Sequence, residues 1–564
     1  MVAQEAIPVH TNLTQVYGSS GTVLKNADRW HNLAEEFKKR FGRTPAYIAR
    51  APGRVNLIGE HIDYALFGVL PAAIEQDILI ACAPRDVPAI SPTDETHHAP
   101  GSVIAENLQS KYTRQVFAPA PKRRSSSEEE VHVEGWHLDI PKELRWENYV
   151  KAGYHGVLDE HFTGSEEQPI PVDLLVTGSV PAGSGLSSSA AMVVSSSLAF
   201  LAINGKLEAG AESERPTKGE LVKLSMENEK RVGVNSGGMD QAASVLSVPS
   251  SVLTATILHL PPSNSFLDGA VLVCAHSLKV SDKALTAKKG YNLRVVETLV
   301  GARVLARSLD VAVGPKEKIT FREVVGRLVA ETDTGKGGAG MNVDALMEVL
   351  GRMEVAIEAL KPPGTTHPEF GATMEEMIAM SGLSAEEFHE VYMSWVEVDA
   401  THFKLYKRAK HVYSEALRVL QFRKLCLDAA NRGISNDELE RPMNAPGTFE
   451  EPDKRGRSPV AVLQELGRLM NESQRSCAED FECSCEELNE LTQIAREAGA
   501  YGSRLTGAGW GGCTVSLVPE SEVESFIKKV SDTYPPYKGL EGDALNEAMF
   551  ATRPSTGACV YKFA

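Results

Sequence analysis

The first half of the chain contains hydrophobic stretches with helical spacing and others with strand spacing. Trp30 to Phe41 has its apolar positions on one face and predicts an amphipathic helix. Residues 47–49 predict a strand that enters a loop at Ala51-Pro52-Gly53, and residues 69–83 predict further strand structure. We therefore expect the first ordered unit to begin near this point.

A further strand and two helices follow from the same patterns. Residues 172–176 alternate apolar and other positions, which predicts a half-buried strand. Thr217 and Glu220 form a capping-box pattern that predicts a helix over about 218–231. An apolar row at helical spacing predicts a buried helix between them, and its members are Leu186, Ala190, Val194, Leu198 and Leu201.

The second half of the chain, from about residue 265, alternates strand-like pieces with long helical patterns. Two weak breaks, at 335–340 and 438–458, interrupt it, and no internal repeat is present. The helical patterns cover residues 292–308, 400–429, 459–471 and 485–497.

Between Pro84 and about Val131 the hydrophobic pattern dissolves into proline, serine, histidine and charge. Such composition predicts a long surface insertion. It ends in a basic, then serine, then acidic run at 122–130. A regulatory phosphorylation site is one interpretation of this run, and a solvated loop is the simpler one.

Composition describes an ordinary globular protein. The 564 residues are 42% hydrophobic and 24% charged, which fits about two to four domains. The net charge of −17 disfavours a nucleic-acid or acidic-membrane partner, but it permits a small anionic ligand in a local basic pocket.

The cysteines and the first residues bear on the compartment. The eight cysteines include no C-x-x-C pair, so we expect reduced thiols. The first twenty-five residues lack the features of a signal peptide, and serines interrupt the longest apolar stretch, 190–203. We expect a cytoplasmic protein.

A glycine- and serine-rich segment, Pro181 to Ala190, links the strand at 172–176 to the helix that follows. Its glycines let backbone N–H groups converge with the unpaired donors of the first helical turn, and serine hydroxyls bind phosphate oxygens or Mg²⁺. The segment predicts a phosphate-binding loop, although a merely flexible turn fits the local pattern equally well.

Two other phosphate motifs fail. The P-loop pattern is absent, because Gly205-Lys206 is followed by Leu207. Gly507 to Gly512 satisfies G-x-G-x-x-G, but residues 513–518 have a strand pattern and do not open a helix. This segment predicts a turn in which backbone approaches a neighbour closely.

Two further segments concentrate polar chemistry. Residues 50–64 are so dense in polar groups that they must lie at the surface or in a site. Their acidic and histidine side chains also resemble metal ligands, but the spacing matches no metal motif. Asp240 follows paired glycines eleven residues after Glu229, and a carboxylate so placed is suited to orient or deprotonate a hydroxyl nucleophile. A plain turn is the alternative.

Together these segments resemble the galactokinases, which are members of the GHMP family of small-molecule kinases. The matching segments occur in the family's order from about residue 45 onward. The chain length and the Glu60-His61-Ile62-Asp63-Tyr64 sequence are most similar to the fungal type. Residues 53–64 are similar to the galactokinase signature, 181–191 to the shared phosphate loop and 504–512 to the third family motif. Shorter matches lie at 146–151, 233–241 and 291–294.

The resemblance implies an α+β, two-lobed GHMP kinase fold, with mixed and antiparallel sheets flanked by helices and the active site in the interlobe cleft. We expect an N-terminal extension with a helix at 1–44. An N-terminal lobe at 45–262 would carry the insertion near 84–135. A C-terminal lobe at 263–564 would carry the third motif and an insertion near 310–395.

The implied reaction phosphorylates the C1 hydroxyl of α-D-galactose from Mg·ATP. Asp240 would take up or orient the hydroxyl proton, and Arg54 would contact the substrate and offset charge on the transferred phosphoryl group. The other sugar-binding residues would be Glu60, His61, Asp63, Gly237 and Tyr291.

The nucleotide side is implied in the same way. Trp146 would lie near the adenine, and Ser189 and Glu229 would reach the Mg²⁺ cofactor. The residues that would wrap the ATP phosphates are Gly183, Ser184, Gly185, Leu186, Ser187, Ser188 and Ser189.

Two other functions stay open. Some fungal-type relatives bind galactose and ATP as non-catalytic transcriptional inducers and have a shortened phosphate loop. Here residues 187–191 are intact and both Asp240 and Arg54 are present, which favours an enzyme. An N-acetylgalactosamine kinase would need a pocket with room for an acetamido group at C2 of the sugar, and no residue in the sequence fixes the volume of that pocket. A regulatory protein partner also stays open.

Overall fold

The computed structural model describes residues 2–17, 20–85, 99–125, 131–141, 143, 145–165, 167–208, 210, 215–233, 237–248, 269–280, 287–329, 342–362, 371–431 and 458–563. Its strands are β1 (Val9–His10), β2 (Tyr47–Asn56), β3 (Pro71–Pro84), β4 (Val103–Asn107), β5 (Gln115–Phe117), β6 (Ala120–Ser125), β7 (Val131–His137), β8 (Val172–Gly178), β9 (Ala270–His276), β10 (Ala372–Thr373), β11 (His402–Phe403), β12 (Gly502–Thr506), β13 (Cys513–Pro519), β14 (Met549–Thr552) and β15 (Cys559–Lys562).

The α-helices of the same residues are α1 (Leu13–Tyr17), α2 (Ser20–Phe41), α3 (Trp146–His161), α4 (Ser188–Ile203), α5 (Lys218–Glu229), α6 (Met239–Leu246), α7 (Tyr291–Ser308), α8 (Phe321–Leu328), α9 (Val343–Ala356), α10 (Met374–Ser381), α11 (Ala385–Phe388), α12 (Leu405–Asn431), α13 (Pro459–Glu479), α14 (Glu486–Glu497), α15 (Val523–Thr533) and α16 (Gly542–Ala548).

The larger sheet has, in the described part of the chain, the strand order β1-β15-β2-β3-β8-β4-β5. Its pairs are antiparallel except for β1 with β15 and β4 with β8, which run parallel. The late strand β15 lies between β1 and β2. A lobe boundary at 262/263 therefore does not separate all of the structure, because residues 559–562 complete the sheet of the first lobe.

Helices cover both faces of this sheet. On one face Ile48, Leu79 and Leu175 pack with Leu33 and Phe37 of α2. Alternate residues of the same strands join the main core with α4. The prediction of a half-buried strand at 172–176 is therefore wrong: β8 is buried on both sides, because the N-terminal helix covers the face that the sequence pattern assigned to solvent.

The smaller sheet has the order β12-β13-β9-β14, and all its pairs are antiparallel. Val273 of β9 shares a second core with Leu491 of α14 and with Phe526 and Val530 of α15. The strand expected directly after Gly512 is confirmed as β13.

The loop predicted at Ala51-Pro52-Gly53 is instead part of β2, which continues to Asn56 with a register shift between Pro52 and Arg54. A Cβ on Gly53 would lie 2.7 Å from the Leu186 carbonyl oxygen, and Arg54 N donates to the same oxygen at 3.1 Å. Glycine is thus required by close approach of the phosphate loop.

The surface insertion expected from 84 to 131 is partly wrong, because Val103 and Ala105 of β4 are buried in the larger sheet beside β8. Residues 86–98 and 126–130 lie outside the described residues, with most of the serine and acidic run. The segment near 310–395 contains α8 to α11, of which α8, α9 and α10 pack against α7 or α12.

The predicted helices are confirmed with shifted ends. The Thr217 capping box is present, and its helix ends at Glu229 before a short 3₁₀ turn. The helix expected from 400 begins at Leu405, because 402–403 form β11, and the one expected over 459–471 continues to Glu479. The breaks at 335–340 and 438–457 lie outside the described residues.

The structure also bears on the cysteines and on membrane-spanning helices. All eight cysteines are free thiols, as expected. Within the described residues, no helix combines the length and apolarity that crossing a lipid bilayer requires.

Candidate active site

The motif residues meet where the larger sheet contacts the β12–β13 hairpin. Asn56 N donates to Thr506 Oγ1 at 2.8 Å, and Arg504 Nη1 donates to the Asn56 carbonyl at 2.8 Å. Cys513 N donates to the Ser184 carbonyl at 2.8 Å. The third motif therefore contacts both the signature strand and the phosphate loop, and these bonds join the two sheets at the site.

Arg54 and Asp240 form the centre of this junction. Arg54 Nε donates to Asp240 Oδ1 at 2.8 Å, and Arg54 Nη1 donates to the Gly185 carbonyl at 2.6 Å. Arg54 lies on β2, and Asp240 lies in the first turn of α6. Both side chains are buried, so bulk water screens their charges less and their electrostatic interactions are stronger than at the surface.

A second carboxylate, Asp63, lies beside Asp240. Desolvation and then the charge of Asp240 raise the pKa of Asp63 to about 6. A Cβ on Gly237 would collide with Asp63 Oδ2. The structure thus brings together Asp63, Gly237 and Asp240, which the resemblance assigned to one site, and it gives a steric reason for glycine at 237.

His61 lies in a group of aromatic rings that includes Tyr64, Tyr291, Phe481 and Trp510. His61 Nε2 lies 2.9 Å from the Ala508 carbonyl and Nδ1 lies 3.2 Å from the Tyr64 hydroxyl. Burial lowers the pKa of His61 to about 3, so the ring is neutral. Since a carbonyl only accepts, Nε2 carries the hydrogen and Nδ1 accepts from Tyr64.

Glu60 is buried and pairs with Arg504, whose Nη2 donates to Glu60 Oε2 at 3.1 Å. Burial raises the pKa of Glu60 to about 7, against the opposing charges of Arg504 and Arg54. Arg504 and Trp510 were not selected as site residues from the sequence, although both belong to the third motif. Their inclusion in that motif was the available signal.

The loop Gly183 to Ser187 packs directly on the third motif. A Cβ on Gly185 would lie 2.9 Å from the Thr506 carbonyl oxygen, and one on Gly512 would lie 2.7 Å from the Ser184 carbonyl oxygen. Ser187 is left-handed, with φ 60°, and caps α4. Its Oγ is buried and has no hydrogen-bond partner among the described residues, which leaves an unsatisfied hydroxyl at the helix N-terminus.

The other residues assigned to the nucleotide lie on helices α3, α4 and α5. Ser188 and Ser189 lie in the first turn of α4, while Glu229 ends α5, which packs against α4. Gln241 Nε2 donates to Glu229. Trp146 begins α3, and its ring lies 6.0 Å from that of Tyr112. No hydrogen bond or ring contact joins Trp146 to the loop within the described part of the chain.

A helix N-terminus with a glycine-rich loop, beside an arginine and a carboxylate, suits phosphoryl transfer to a small molecule. The GHMP kinase N-terminal domain matches residues 148–247, and the GHMP kinase C-terminal domain matches residues 460–536. The fold and the site thus define an ATP-dependent small-molecule kinase of the GHMP class.

The galactokinase galactose-binding signature matches residues 35–84. A galactokinase from Dictyostelium discoideum is 35% identical over 549 residues, with 95% of this chain and 94% of the relative covered. One from Saccharomyces cerevisiae is 32% identical over 563 residues, with 95% of each chain covered. The chain belongs to the galactokinase family.

A solved structure agrees at the level of the fold. The galactokinase of Lactococcus lactis, crystallised with galactose, superimposes with a TM-score of 0.58 at 22% identity. The match covers 94% of this chain and 99% of that one.

Proposed function

We propose that this protein is a galactokinase that transfers the γ-phosphoryl group of ATP to the C1 hydroxyl of α-D-galactose, which gives galactose 1-phosphate and ADP. The observation that carries the proposal is the position of Arg54, which donates both to Asp240 and to the Gly185 carbonyl of the phosphate loop. A carboxylate, a cation and a phosphate-binding turn therefore lie within reach of one reacting centre.

Each group has a role in phosphoryl transfer. Asp240 orients the C1 hydroxyl and accepts its proton as the oxygen attacks phosphorus. Arg54 offsets the negative charge of the phosphoryl group in the transition state, and its burial strengthens that effect. The N–H groups of the first turn of α4, which have no acceptor within the helix, bind phosphate oxygens together with the Ser187 hydroxyl, which has no hydrogen-bond partner among the described residues.

Galactose would be held by Asp63, Glu60 and His61, with Tyr291 and Gly237 shaping the same pocket. Carboxylates that accept from neighbouring hydroxyls separate epimers, because a misplaced hydroxyl leaves a buried polar group unpaired at a cost of about 1–3 kcal/mol. The protonation states of Asp63 and Glu60 therefore affect recognition of the sugar directly.

The donor set fits Mg²⁺ bound together with ATP. Glu229 and Ser189 supply a carboxylate and a hydroxyl, which are the oxygen ligands that Mg²⁺ prefers. No group of three or more His, Cys, Asp or Glu suited to a metal ion occurs in the described residues, so the nucleotide phosphates and water would complete the shell. When bound, Mg²⁺ offsets the charge of the phosphates.

The non-catalytic inducer is less well supported. Residues 187–191 are intact and shape the start of α4, and Asp240 and Arg54 are paired in place. A cytoplasmic location stays a prediction, and an N-acetylgalactosamine kinase and a regulatory protein partner stay alternatives.

The test is ADP release by the purified full chain with galactose, N-acetylgalactosamine, glucose and mevalonate, measured in parallel with Mg·ATP. We expect turnover with galactose and a sugar 1-phosphate product identified by phosphorus NMR. An Asp240→Asn preparation controls for contaminating kinases. Absence of ADP release with all four substrates, while galactose still binds in calorimetry, would overturn the enzyme in favour of the inducer.

A further inference from the structure

The turn that carries Glu60 and His61 has an unusual backbone. Gly59 has φ 106° and His61 has φ 60°, so left-handed residues flank Glu60 on both sides. A left-handed non-glycine residue costs about 1–3 kcal/mol and persists only where its surroundings hold it. The directions of the Glu60 and His61 side chains depend on this turn.

One face of helix α12 holds the turn by its backbone. Gly59 N donates to Glu415 Oε1 at 2.8 Å, and His411 Nε2 donates to the Glu60 carbonyl at 2.9 Å. Val419, one helical turn after Glu415, lies 3.0 Å from the position that a Cβ on Gly59 would occupy. Residues 411, 415 and 419 are four apart, so they share one side of the helix.

The Glu415 side chain, which accepts from Gly59 N, is itself held by hydrogen bonds. Glu415 accepts from Ser473 Oγ at 2.6 Å and from Arg418 Nε at 2.8 Å. Burial alone would raise the pKa of Glu415, but Arg418 and Arg504 outweigh it and hold the pKa at about 2. Glu415 is therefore a fixed anion whose position is set by helices α12 and α13.

Phe481 connects His411, which donates to the Glu60 carbonyl, with His61 of the sugar site. Its ring centroid lies 4.5 Å from that of His411 and 4.8 Å from that of His61, so the phenyl ring contacts both imidazoles. His411 and His61 are both buried. Displacement of His411 would thus be transmitted to His61 by direct packing as well as through the Glu60 carbonyl.

We propose that Glu415 and His411 are positioning residues for sugar recognition, which hold the turn Gly59–His61 so that Glu60 and His61 face the galactose. The inference rests on the proposed galactokinase function. Neither residue touches the reacting atoms, so their loss affects ground-state sugar binding and leaves the phosphoryl-transfer step intact.

The experiment compares Glu415→Ala, Glu415→Gln and His411→Phe in the full chain. His411→Phe keeps a ring against Phe481 and removes both the donor to the Glu60 carbonyl and the Nδ1 acceptor of the Ser476 hydroxyl. We expect Glu415→Ala and His411→Phe to raise the KM for galactose about 10- to 100-fold, with the KM for ATP and kcat within about threefold. Calorimetry should show the same loss of galactose affinity.

Two variants make the result specific. Glu415→Gln keeps an oxygen that accepts from Gly59 N–H, so its galactose KM should return to within about threefold of the wild type. Lys424→Ala, on the exposed part of the same helix, should leave both KM values unchanged and report any general effect of mutating α12.

The inference is overturned if a folded His411→Phe or Glu415→Ala protein keeps the wild-type galactose KM, or if both KM values rise together. It is also overturned if Glu415→Gln is as impaired as Glu415→Ala. A wild-type protein without turnover would instead overturn the proposed function, and galactose calorimetry of the variants would still decide the positioning role.

Discussion

Arg54 and Asp240 lie on different elements, separated by 186 residues along the chain, and meet through a hydrogen bond of 2.8 Å. The same guanidinium also donates to the Gly185 carbonyl at 2.6 Å. The pair therefore fixes the relative position of the group that activates the acceptor and the loop that holds the donor. Alignment of two substrates is the main requirement of phosphoryl transfer.

Replacement of Asp240 by Asn should lower kcat about 10²- to 10⁴-fold, because the amide cannot accept the hydroxyl proton. Galactose and ATP binding, measured by calorimetry, should change little. Asp159→Asn, at a side chain that is 42% exposed, is the matched control. Turnover at the wild-type rate in Asp240→Asn would exclude Asp240 as the catalytic base.

Galactose affinity should fall as the pH drops through about 6, because the pKa of Asp63 is raised to about 6 and its protonation removes an acceptor for sugar hydroxyls. Asp240 contributes to that raised pKa. In Asp240→Asn the loss of affinity should therefore shift to lower pH, as measured by calorimetry between about pH 5 and 8.

Two neighbouring groups do not produce the same shift. His61, with a pKa of about 3, does not titrate in this range. The pKa of Glu60, about 7, is set mainly by burial and by the charges of Arg504 and Arg54. If galactose affinity fell at the same pH in the wild type and in Asp240→Asn, protonation of Asp63 would not be the cause of the fall.

Gly507→Ala should impair the nucleotide side. Gly507 has φ 87°, and an added Cβ would collide with the Gly185 carbonyl of the phosphate loop, so the loop must move. We expect the KM for ATP to rise about tenfold or more while the KM for galactose changes less.

Gly539 offers a matched control, because it has the same φ of 87° and nothing lies within 4 Å of its added Cβ. Gly539→Ala introduces the same backbone strain without the collision, so kinetics should stay unchanged. Equal effects of the two substitutions on the KM for ATP would show that strain, and not the contact with the loop, is responsible.

Asp77→Ala should destabilise the fold strongly. Asp77 accepts from Arg50 Nε at 2.6 Å, and both side chains are fully buried. Arg29 and Tyr17 donate to the same carboxylate. Removal of Asp77 leaves Arg50 buried without its counter-charge, which costs about 3–5 kcal/mol in the free energy of unfolding.

Urea denaturation of Asp77→Ala measures this loss. Asp532→Ala removes an exposed partner of Lys528 and should cost less than about 1 kcal/mol. A similar small loss in Asp77→Ala would mean that the buried pair adds nothing to stability.

Local patterns predicted the long helices and the motif segments, because periodicity, capping and turn chemistry are written in neighbouring residues. The Thr217 capping box and the strand after Gly512 are examples. The galactokinase resemblance also assigned Arg54, Asp63, Gly237 and Asp240 to one site, since each lies inside a short motif, and the structure places them close together.

Partners far apart along the chain were not predictable. Glu60 pairs with Arg504 across 444 residues, and Gly59 donates to Glu415 across 356. A helical residue such as Glu415 has an ordinary amphipathic spacing in sequence, and only the fold shows which buried group it meets. The loop expected at Pro52 failed for the same reason: the close neighbour that requires glycine there is the Leu186 carbonyl.

The position of β15 has a consequence for synthesis in the cell. Arg50 of β2 donates to the Thr556 carbonyl, just before β15, across 506 residues. The larger sheet therefore stays open between β1 and β2 until residues 559–562 have left the ribosome. Contacts this distant form slowly, and an unpaired central strand edge invites association with other chains. Nascent chains should accordingly depend on chaperones until residues 559–562 are inserted.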